Sequence, residues 1–118
     1  MAAMPLYDWN QVKEEQMNPL VTRQVIHTEG LTIARLHLKP HAVVAQHSHV
    51  NEQVTMIQQG ALKFFIDGGE KVVKAGETLT IPPHVPHGVE AVEDTIAVDV
   101  FSPRREDWMR GDDAYLRK

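Results

Sequence analysis

The sequence predicts an all-β fold, built as one barrel or two-sheet sandwich. Short runs rich in β-branched and aromatic residues are separated by Gly and Pro turns along most of the chain. No stretch has the apolar period of a long helix, and no internal repeat or linker divides the sequence. Its 118 residues are enough for one hydrophobic core. We therefore expect a single domain over residues 1–118.

Most of the predicted strands lie in the middle of the chain, in a core of about residues 31–101. An N-terminal segment precedes this core, and a C-terminal tail follows it. Residues 1–20 form the predicted N-terminal segment, pinned by Tyr7 and Trp9 and closed by a break at Asn18-Pro19. Asp67-Gly68-Gly69 supplies the positive φ angles that a tight hairpin needs. The predicted strands cover residues 22–28, 31–38, 43–47, 53–59, 61–66, 72–74, 78–81 and 95–101.

The end of the chain combines an apolar strand with a polar tail. Both faces of residues 95–101 are mostly apolar, which predicts burial on two sides. That burial fits a homodimer, the commonest assembly, or a strand enclosed within a two-sheet barrel. Residues 104–118 are expected to form a short helix or turns draped over the barrel. Their predicted anchors are Trp108, Met109, Tyr115 and Leu116.

Composition excludes several classes of function. A net charge of −4 and the lack of a basic cluster argue against nucleic acid or an anionic membrane as the main partner. The chain has no cysteine, so disulfides and thiolate metal sites are excluded. The first six residues do not resemble a signal peptide, and no apolar run approaches the roughly 18 residues of a membrane span. We expect a cytoplasmic protein.

Three histidines and one glutamine form a candidate metal site. His47 and His49 are separated by one residue, so on an extended strand both side chains point to the same face. Gln53 follows after a short turn, and His87 follows a loop stiffened by prolines. These four residues could surround one divalent metal and leave positions open for a substrate. The alternative is a surface histidine pair with an unrelated later histidine.

The residue types in this set constrain the chemistry. Neutral imidazoles and a neutral amide leave the charge of a divalent ion uncompensated, and such an ion is a good Lewis acid toward anionic oxygens. Ni, Zn, Fe, Mn or Co could each occupy the site, since the order of affinity does not choose among them. The remaining histidines His27, His37 and His84 are interpreted as structural or surface residues.

Three further residues near the last strand have both a functional and a structural interpretation. Asp99 interrupts an apolar strand, so it is either paired with Arg35, Arg104 or Arg105 or serves as a general acid–base group with a raised pKa. Arg105 lies just beyond the strand, where its fork could bind a substrate carboxylate over the barrel mouth, or be solvated. From the sequence alone, Phe101 is interpreted as a core residue.

These residues resemble the two motifs of the cupin superfamily. His47-Ser48-His49, Gln53 and Gly60 are similar to the first motif, in which a glutamate usually stands at the position of Gln53. The second motif has its Gly, Pro and His where this chain has Gly76, Pro82 and His87. Departures fall at His41 and His84, which replace glycines, and at Ala91, which replaces an asparagine. The resemblance implies a jelly-roll-like β-barrel over about residues 31–101.

Within that superfamily the chain is most similar to the pectin-degradation cupins of the KdgF type. They also carry two His, a Gln and a distant His, then Asp-x-Phe and an Arg, which match Asp99, Phe101 and Arg105. The resemblance implies a metal-dependent enzyme that opens 4,5-unsaturated monouronates, from pectin or alginate, into linear 5-keto forms. It implies proton transfer by Asp99, binding of the small anionic sugar by Arg105, and a pocket floor shaped by Phe101.

Two other functions fit a cupin of this size. One is a small-molecule sensor that binds a ligand without turnover, although no output domain accompanies the 118-residue chain. The other is a metal oxidoreductase such as a dioxygenase, with redox-active iron or manganese. A glutamine in place of the usual glutamate ligand weakens the analogy with the cupin dioxygenases.

Overall fold

Ten strands within residues 3–118 form the scaffold of the protein. The structure, a computed structural model, describes residues 3–118; Met1 and Ala2 of the predicted N-terminal segment lie outside the described residues. The strands are β1 (Glu15–Asn18), β2 (Val21–His27), β3 (Thr32–Leu38), β4 (Val43–His47), β5 (Glu52–Gln59), β6 (Ala61–Ile66), β7 (Gly69–Lys74), β8 (Thr78–Ile81), β9 (His87–Ala91) and β10 (Thr95–Ser102). One helical turn, α1 (Glu106–Met109), and the 3₁₀ turns Trp9–Gln11 and Ala114–Leu116 complete the structure.

The strands pair into two antiparallel sheets. One sheet has the order β1-β2-β3-β10-β5-β8, and the other has the order β4-β9-β6-β7. Their inner faces share one core, which includes Leu36, Ile57, Phe64 and Val89. The sequence predicted an all-β, jelly-roll-like domain with a short C-terminal helix, and this prediction is confirmed.

The alternation of side chains along β3 and β10 directs polar residues as well as apolar ones into this core. In β3, every second residue from Thr32 to Leu38 is buried, as expected for a strand with one face inside. The same period in β10 buries Asp99 between two apolar neighbours, Ala97 and Phe101. β10 also pairs with β5, and this register places Asp99 opposite Thr55. The two polar side chains therefore meet on the inner face of the sheet.

Two strands and two anchors differ from the sequence-based expectation. β1 is a four-residue edge strand of mostly polar side chains, which carries no clear alternation. β9 begins at His87, directly after a proline-rich loop, and contains a glycine; both features disfavour a strand in propensity alone. Tyr7 is 52% exposed and Met109 48% exposed, so their predicted anchoring roles are wrong.

Two histidines adopt a backbone conformation that normally favours glycine. His41 has a φ of 72° and His84 a φ of 69°, both in the left-handed region. A side chain there costs roughly 1–2 kcal/mol. The motifs that the sequence resembles carry glycine at both of these positions. At both turns the chain therefore holds a histidine in a conformation that glycine adopts at lower cost.

The tail packs across one end of the two sheets. Trp108 and Leu116 are buried, as predicted. The Asn18 side-chain amide donates to the Leu116 carbonyl, and the Arg23 guanidinium lies 2.9 Å from the Asp113 carboxylate. These contacts tie residues 113–116 to the first two strands. In residues 3–118, no helix has the length and apolarity that a bilayer crossing requires.

Candidate metal centre

Three of the predicted ligands converge between the two sheets. His47 ends β4 and His87 begins β9, and the register of these strands places them opposite each other. His49 lies in the loop before β5, two residues beyond the end of β4. The ring centroids of His47 and His87 are 4.3 Å apart, and those of His49 and His87 are 5.1 Å apart. One nitrogen from each ring lies within 4.8 Å of the others.

The backbone fixes the tautomer of all three rings. Nδ1 of His47 lies 2.8 Å from the Ala45 carbonyl, Nδ1 of His49 lies 2.9 Å from that of Asn51, and Nδ1 of His87 lies 2.8 Å from that of Val85. A carbonyl oxygen can only accept, so each Nδ1 must carry the hydrogen. Each Nε2 therefore presents a lone pair, the arrangement that positions histidine for a metal.

Gln53 completes a set of four neutral donor atoms. Its Oε1 is 3.0 Å from Nε2 of His49, and neither atom has a hydrogen to share when the ring is neutral. Nε2 of His87 is buried and has no hydrogen-bond partner within residues 3–118. Two facing acceptors and an orphaned buried nitrogen are unfavourable unless a cation lies among them. The residues present therefore fit a bound divalent metal.

The rings are held neutral by their surroundings. Burial, reinforced by the neighbouring rings and Arg105, lowers the pKa of His47 to about 4. Burial followed by the Arg105 charge lowers the pKa of His49 to about 4, and burial also lowers the pKa of His87. At pH 7 the lone pairs are available for a metal without a competing proton.

Asp99 is buried beside the histidines and forms no ion pair among the described residues 3–118. The salt bridges with Arg35, Arg104 or Arg105 that its sequence position allowed are thus not formed. Its carboxylate instead accepts a hydrogen bond of 2.7 Å from the Thr55 hydroxyl. Burial raises the pKa of Asp99 to about 6, against the opposing effects of Thr55 and Arg105. A carboxyl group of this pKa can exchange protons near neutral pH.

Arg105 is enclosed by the protein and does not arch over the barrel mouth. Its side chain is 1% exposed, and its guanidinium lies 4.7 Å from the Phe101 ring centroid and 4.2 Å from that of Trp108. Nη2 donates to the Asp107 carboxylate at 2.8 Å and to the Tyr115 hydroxyl at 2.9 Å. Burial opposes the charge, but Asp107 and Tyr115 outweigh it and raise the pKa of Arg105. A permanent positive charge therefore lies beside the histidines.

The candidate site borders a small cavity of about 50 Å³. Its polar and aromatic lining comes from both sheets and from the tail: His47, Gln53, Phe64, His87, Asp99, Phe101, Trp108 and Tyr115. The Tyr115 ring stacks on the His47 ring with centroids 4.2 Å apart. Pockets for drug-sized ligands measure about 300–1,000 Å³. With the tail in this position the cavity is therefore closed to a sugar-sized molecule.

A wider groove reaches His49 from the outside. Its volume is about 300 Å³. It is lined by the loop before β5 and by the start of the tail: Ser48, His49, Val50, Asn51, Pro103, Arg104, Glu106, Asp107 and Arg110. Two arginines and two carboxylates place both signs of charge along this groove.

Comparison with known proteins identifies the family. The pattern of the cupin domain matches residues 34–102, more than half of the chain. The chain belongs to the cupin family. This cupin is 24% identical over 98 residues to the pectin degradation protein KdgF of Dickeya dadantii (strain 3937), covering 80% of this chain and 89% of that protein.

Two solved structures share the fold of this cupin over nearly their whole length. KdgF from a Halomonas species superposes with a TM-score of 0.84 at 27% identity, covering 90% of this chain and 99% of that one. An RmlC-like cupin from Shewanella frigidimarina superposes with a TM-score of 0.83 at 29% identity, covering 90% and 96%. The sequence-based identification of a KdgF-like cupin is confirmed.

Two residues of this cupin with direct contacts to the site were not singled out by the sequence. Thr55 bonds both Gln53 and Asp99, and Tyr115 covers His47 although it was expected only to anchor the tail. The signal for Thr55 is a polar residue two positions after Gln53 on the same strand face. It becomes informative only when the register places it opposite Asp99.

The neutral histidines predict acid sensitivity of the metal-free protein. The unfolded chain binds a proton at each histidine near pH 6.5, whereas folded His47 and His49 resist protonation until about pH 4. Their contribution to stability is therefore present above pH 6.5 and lost as the pH falls toward 4. Protonation of Asp99 on acidification has the opposite effect on stability, because its pKa is raised in the folded state. We therefore expect the free energy of unfolding to fall by on the order of 3 kcal/mol between pH 7 and pH 4.5. Urea unfolding with chelator at pH 7 and pH 4.5 measures it.

A matched variant shows where the acid sensitivity arises. His47→Asn cannot be protonated, so its free energy of unfolding should fall less between pH 7 and pH 4.5 than that of the parent. His37, which is exposed and pairs with Asp94, supplies the control variant His37→Asn. Equal pH dependence in the parent and His47→Asn would contradict the assignment of this sensitivity to the buried cluster.

Proposed function

We propose that this cupin catalyses the metal-dependent ring opening and tautomerisation of 4,5-unsaturated monouronates, released from pectin or alginate, to linear 5-keto-4-deoxyuronates. The observation that carries the proposal is a set of four neutral donor atoms beside a buried carboxyl group with a pKa of about 6. Similarity to two KdgF proteins over most of their length supports the substrate class.

His47, His49, Gln53 and His87 would hold the metal through three Nε2 atoms and one amide oxygen. A divalent ion with only neutral ligands supplies Lewis-acid stabilisation to the negative charge that develops on a substrate oxygen. The amide in place of a carboxylate keeps that positive charge undiminished. The backbone carbonyls of Ala45, Asn51 and Val85 hold the three rings in the tautomer that this role requires.

Asp99 is the proposed proton carrier. As a carboxylate it takes the proton of the substrate's C1 hydroxyl, so that C1 becomes an aldehyde as the bond between C1 and the ring oxygen breaks. The electron pair of that bond leaves an enolate at C5. Asp99 then returns the proton to C4, and C5 becomes the ketone. No atom is gained or lost, and a pKa of about 6 suits both directions of transfer.

Arg105 and Phe101 have supporting roles in this proposal. The guanidinium supplies fixed positive charge near the substrate carboxylate, and Phe101 closes one wall of the cavity. Entry of a monouronate requires the Tyr115 ring to leave the face of His47, because the closed cavity measures only about 50 Å³. That movement would also free one donor of Arg105, which now bonds the Tyr115 hydroxyl.

A decay assay on both substrates tests the proposal. The conjugated enol ether of an unsaturated monouronate absorbs in the ultraviolet, and ring opening removes the conjugation. We expect the purified protein to accelerate loss of this absorbance for the pectin-derived substrate, the alginate-derived substrate or both. Chelation should stop the acceleration, and a divalent transition metal should restore it.

The decay assay, combined with measurements of ligand binding and oxygen uptake, separates the competing functions. Tight binding of the monouronate without loss of absorbance would overturn the enzymatic proposal in favour of a sensor. Metal-dependent oxygen uptake would overturn it in favour of an oxidoreductase. Homodimer formation and a cytoplasmic location stay predictions from the sequence.

A further inference from the structure

A continuous chain of hydrogen bonds joins Asp99 to the candidate metal centre. The Thr55 hydroxyl donates to Asp99 Oδ1 at 2.7 Å, and the Gln53 side-chain amide donates through Nε2 to the Thr55 oxygen at 2.9 Å. At the other end of the same amide, Oε1 lies 3.0 Å from Nε2 of His49. Gln53, Thr55 and Asp99 are all buried, so water does not substitute for these contacts.

The donor and acceptor of each bond in this hydrogen-bond chain follow from the hydrogen atoms that each group carries. Thr55 has one hydroxyl hydrogen, and a carboxylate can only accept, so that hydrogen goes to Asp99. The Thr55 oxygen is then left as an acceptor, and the NH₂ end of the Gln53 amide is the end that can serve it. The amide oxygen is consequently turned toward the histidines.

Without the Thr55 hydroxyl, the opposite orientation of the amide becomes favourable. If the Gln53 side chain rotated by half a turn, its NH₂ group would donate to Nε2 of His49, which is already within hydrogen-bond distance. That bond would occupy the lone pair a metal needs and would withdraw the amide oxygen from the site. In the metal-free protein, the rotated amide would therefore block metal binding at His49.

We propose that Thr55 is a positioning residue, which locks the Gln53 amide with its oxygen toward the three histidines and so preserves a four-donor metal site. This inference rests on the proposed function, since it assumes that the site binds a metal. The register supports it: on β5, Gln53 and Thr55 share the inner face, and on β10 they lie opposite Phe101 and Asp99.

Metal titration of two substitutions tests the role of the hydroxyl. Thr55→Val keeps the shape of this 1%-exposed side chain and removes the donor, whereas Thr55→Ser keeps the hydroxyl. Calorimetric titration of metal-free protein with Zn²⁺ should give a Kd about 10–100-fold weaker for Thr55→Val, as for other residues that orient metal ligands. The Kd of Thr55→Ser should stay within about threefold of the parent. Thermal unfolding of each metal-free variant reports whether it folds.

Thr95→Val is the matched control, because Thr95 is equally buried and its hydroxyl bonds the backbone of Ala61 away from the site. We expect it to lose stability and keep the parent's Zn²⁺ affinity. If Thr55→Val does not fold, Thr55→Ala replaces it, since Thr55→Ala and Thr55→Ser differ by one oxygen atom.

Each outcome of these titrations has a distinct meaning. Parent-like Zn²⁺ affinity in Thr55→Val, or equal losses in Thr55→Ala and Thr55→Ser, would overturn the role of Thr55 alone. Absence of Zn²⁺ binding by the parent would instead overturn the proposed function on which it rests.

Discussion

Replacing His87 with alanine is expected to abolish retention of the metal and to lower turnover of the unsaturated monouronate about a thousandfold. His87 is the most deeply buried of the three clustered rings, and its Nε2 has no hydrogen-bond partner in the part of the chain that the structure describes. Loss of one ligand from the proposed four-donor site removes Lewis-acid stabilisation worth several kcal/mol, and each 1.36 kcal/mol is about tenfold in rate. Metal content after dialysis and the absorbance decay assay measure the two effects.

The control for His87→Ala is a histidine outside the cluster. His37 is partly exposed and pairs with Asp94, so His37→Ala should retain both metal and turnover. A cavity is left where the His87 ring is removed, so thermal unfolding of both metal-free variants must accompany the assay. A folded His87→Ala variant that keeps the parent's metal content would show that the three rings do not form the binding site.

Strand positions were predictable where local rules and tertiary structure agree. The hairpin at Asp67-Gly68 has positive φ at both residues, as its sequence requires, and β4, β6 and β8 begin and end where predicted. β1 and β9 were missed because neither has the propensity or alternation of an independent strand. Pairing with β2 in one case and with β4 and β6 in the other makes them strands.

The spacing of the ligands anticipated the cluster, although for an incomplete reason. The sequence argument for a shared face assumed extended backbone through both His47 and His49, whereas β4 ends at His47, as its predicted bounds had it, and the loop carries His49. The antiparallel register of β4 and β9, which brings His87 opposite His47, cannot be read from one sequence. The same applies to Tyr115, whose stacking on His47 depends on how the tail crosses the sheets.

Replacing Asp99 with asparagine is expected to lower turnover about 100- to 10,000-fold, the range of general acid–base catalysis, while metal content stays at the parent's level. Asparagine has nearly the same shape, and its Oδ1 can still accept the Thr55 hydrogen bond that holds Gln53. The substitution therefore removes proton transfer and preserves the donor set. The decay assay and metal analysis on the same preparation measure both quantities.

The stability of the same variant reports independently on the buried carboxyl group. Because burial raises the pKa of Asp99 to about 6, the parent's folded state carries an energetic cost for ionisation above that pH, and the cost vanishes below about pH 4. Asparagine never carries this cost. Between pH 4 and pH 7.5 the free energy of unfolding of metal-free Asp99→Asn should rise relative to the parent by about 2 kcal/mol.

These two measurements on Asp99→Asn distinguish a catalytic carboxyl group from a structural one. A proton carrier gives lost turnover, retained metal and a stability difference that grows with pH. A residue whose negative charge merely supports the site would lose metal together with turnover, because asparagine keeps the hydrogen bond from Thr55 but not the charge. Parent-like turnover with the expected stability change would show that Asp99 is buried and titrating but takes no part in the reaction, and the proton carrier would then have to be another group facing the cavity.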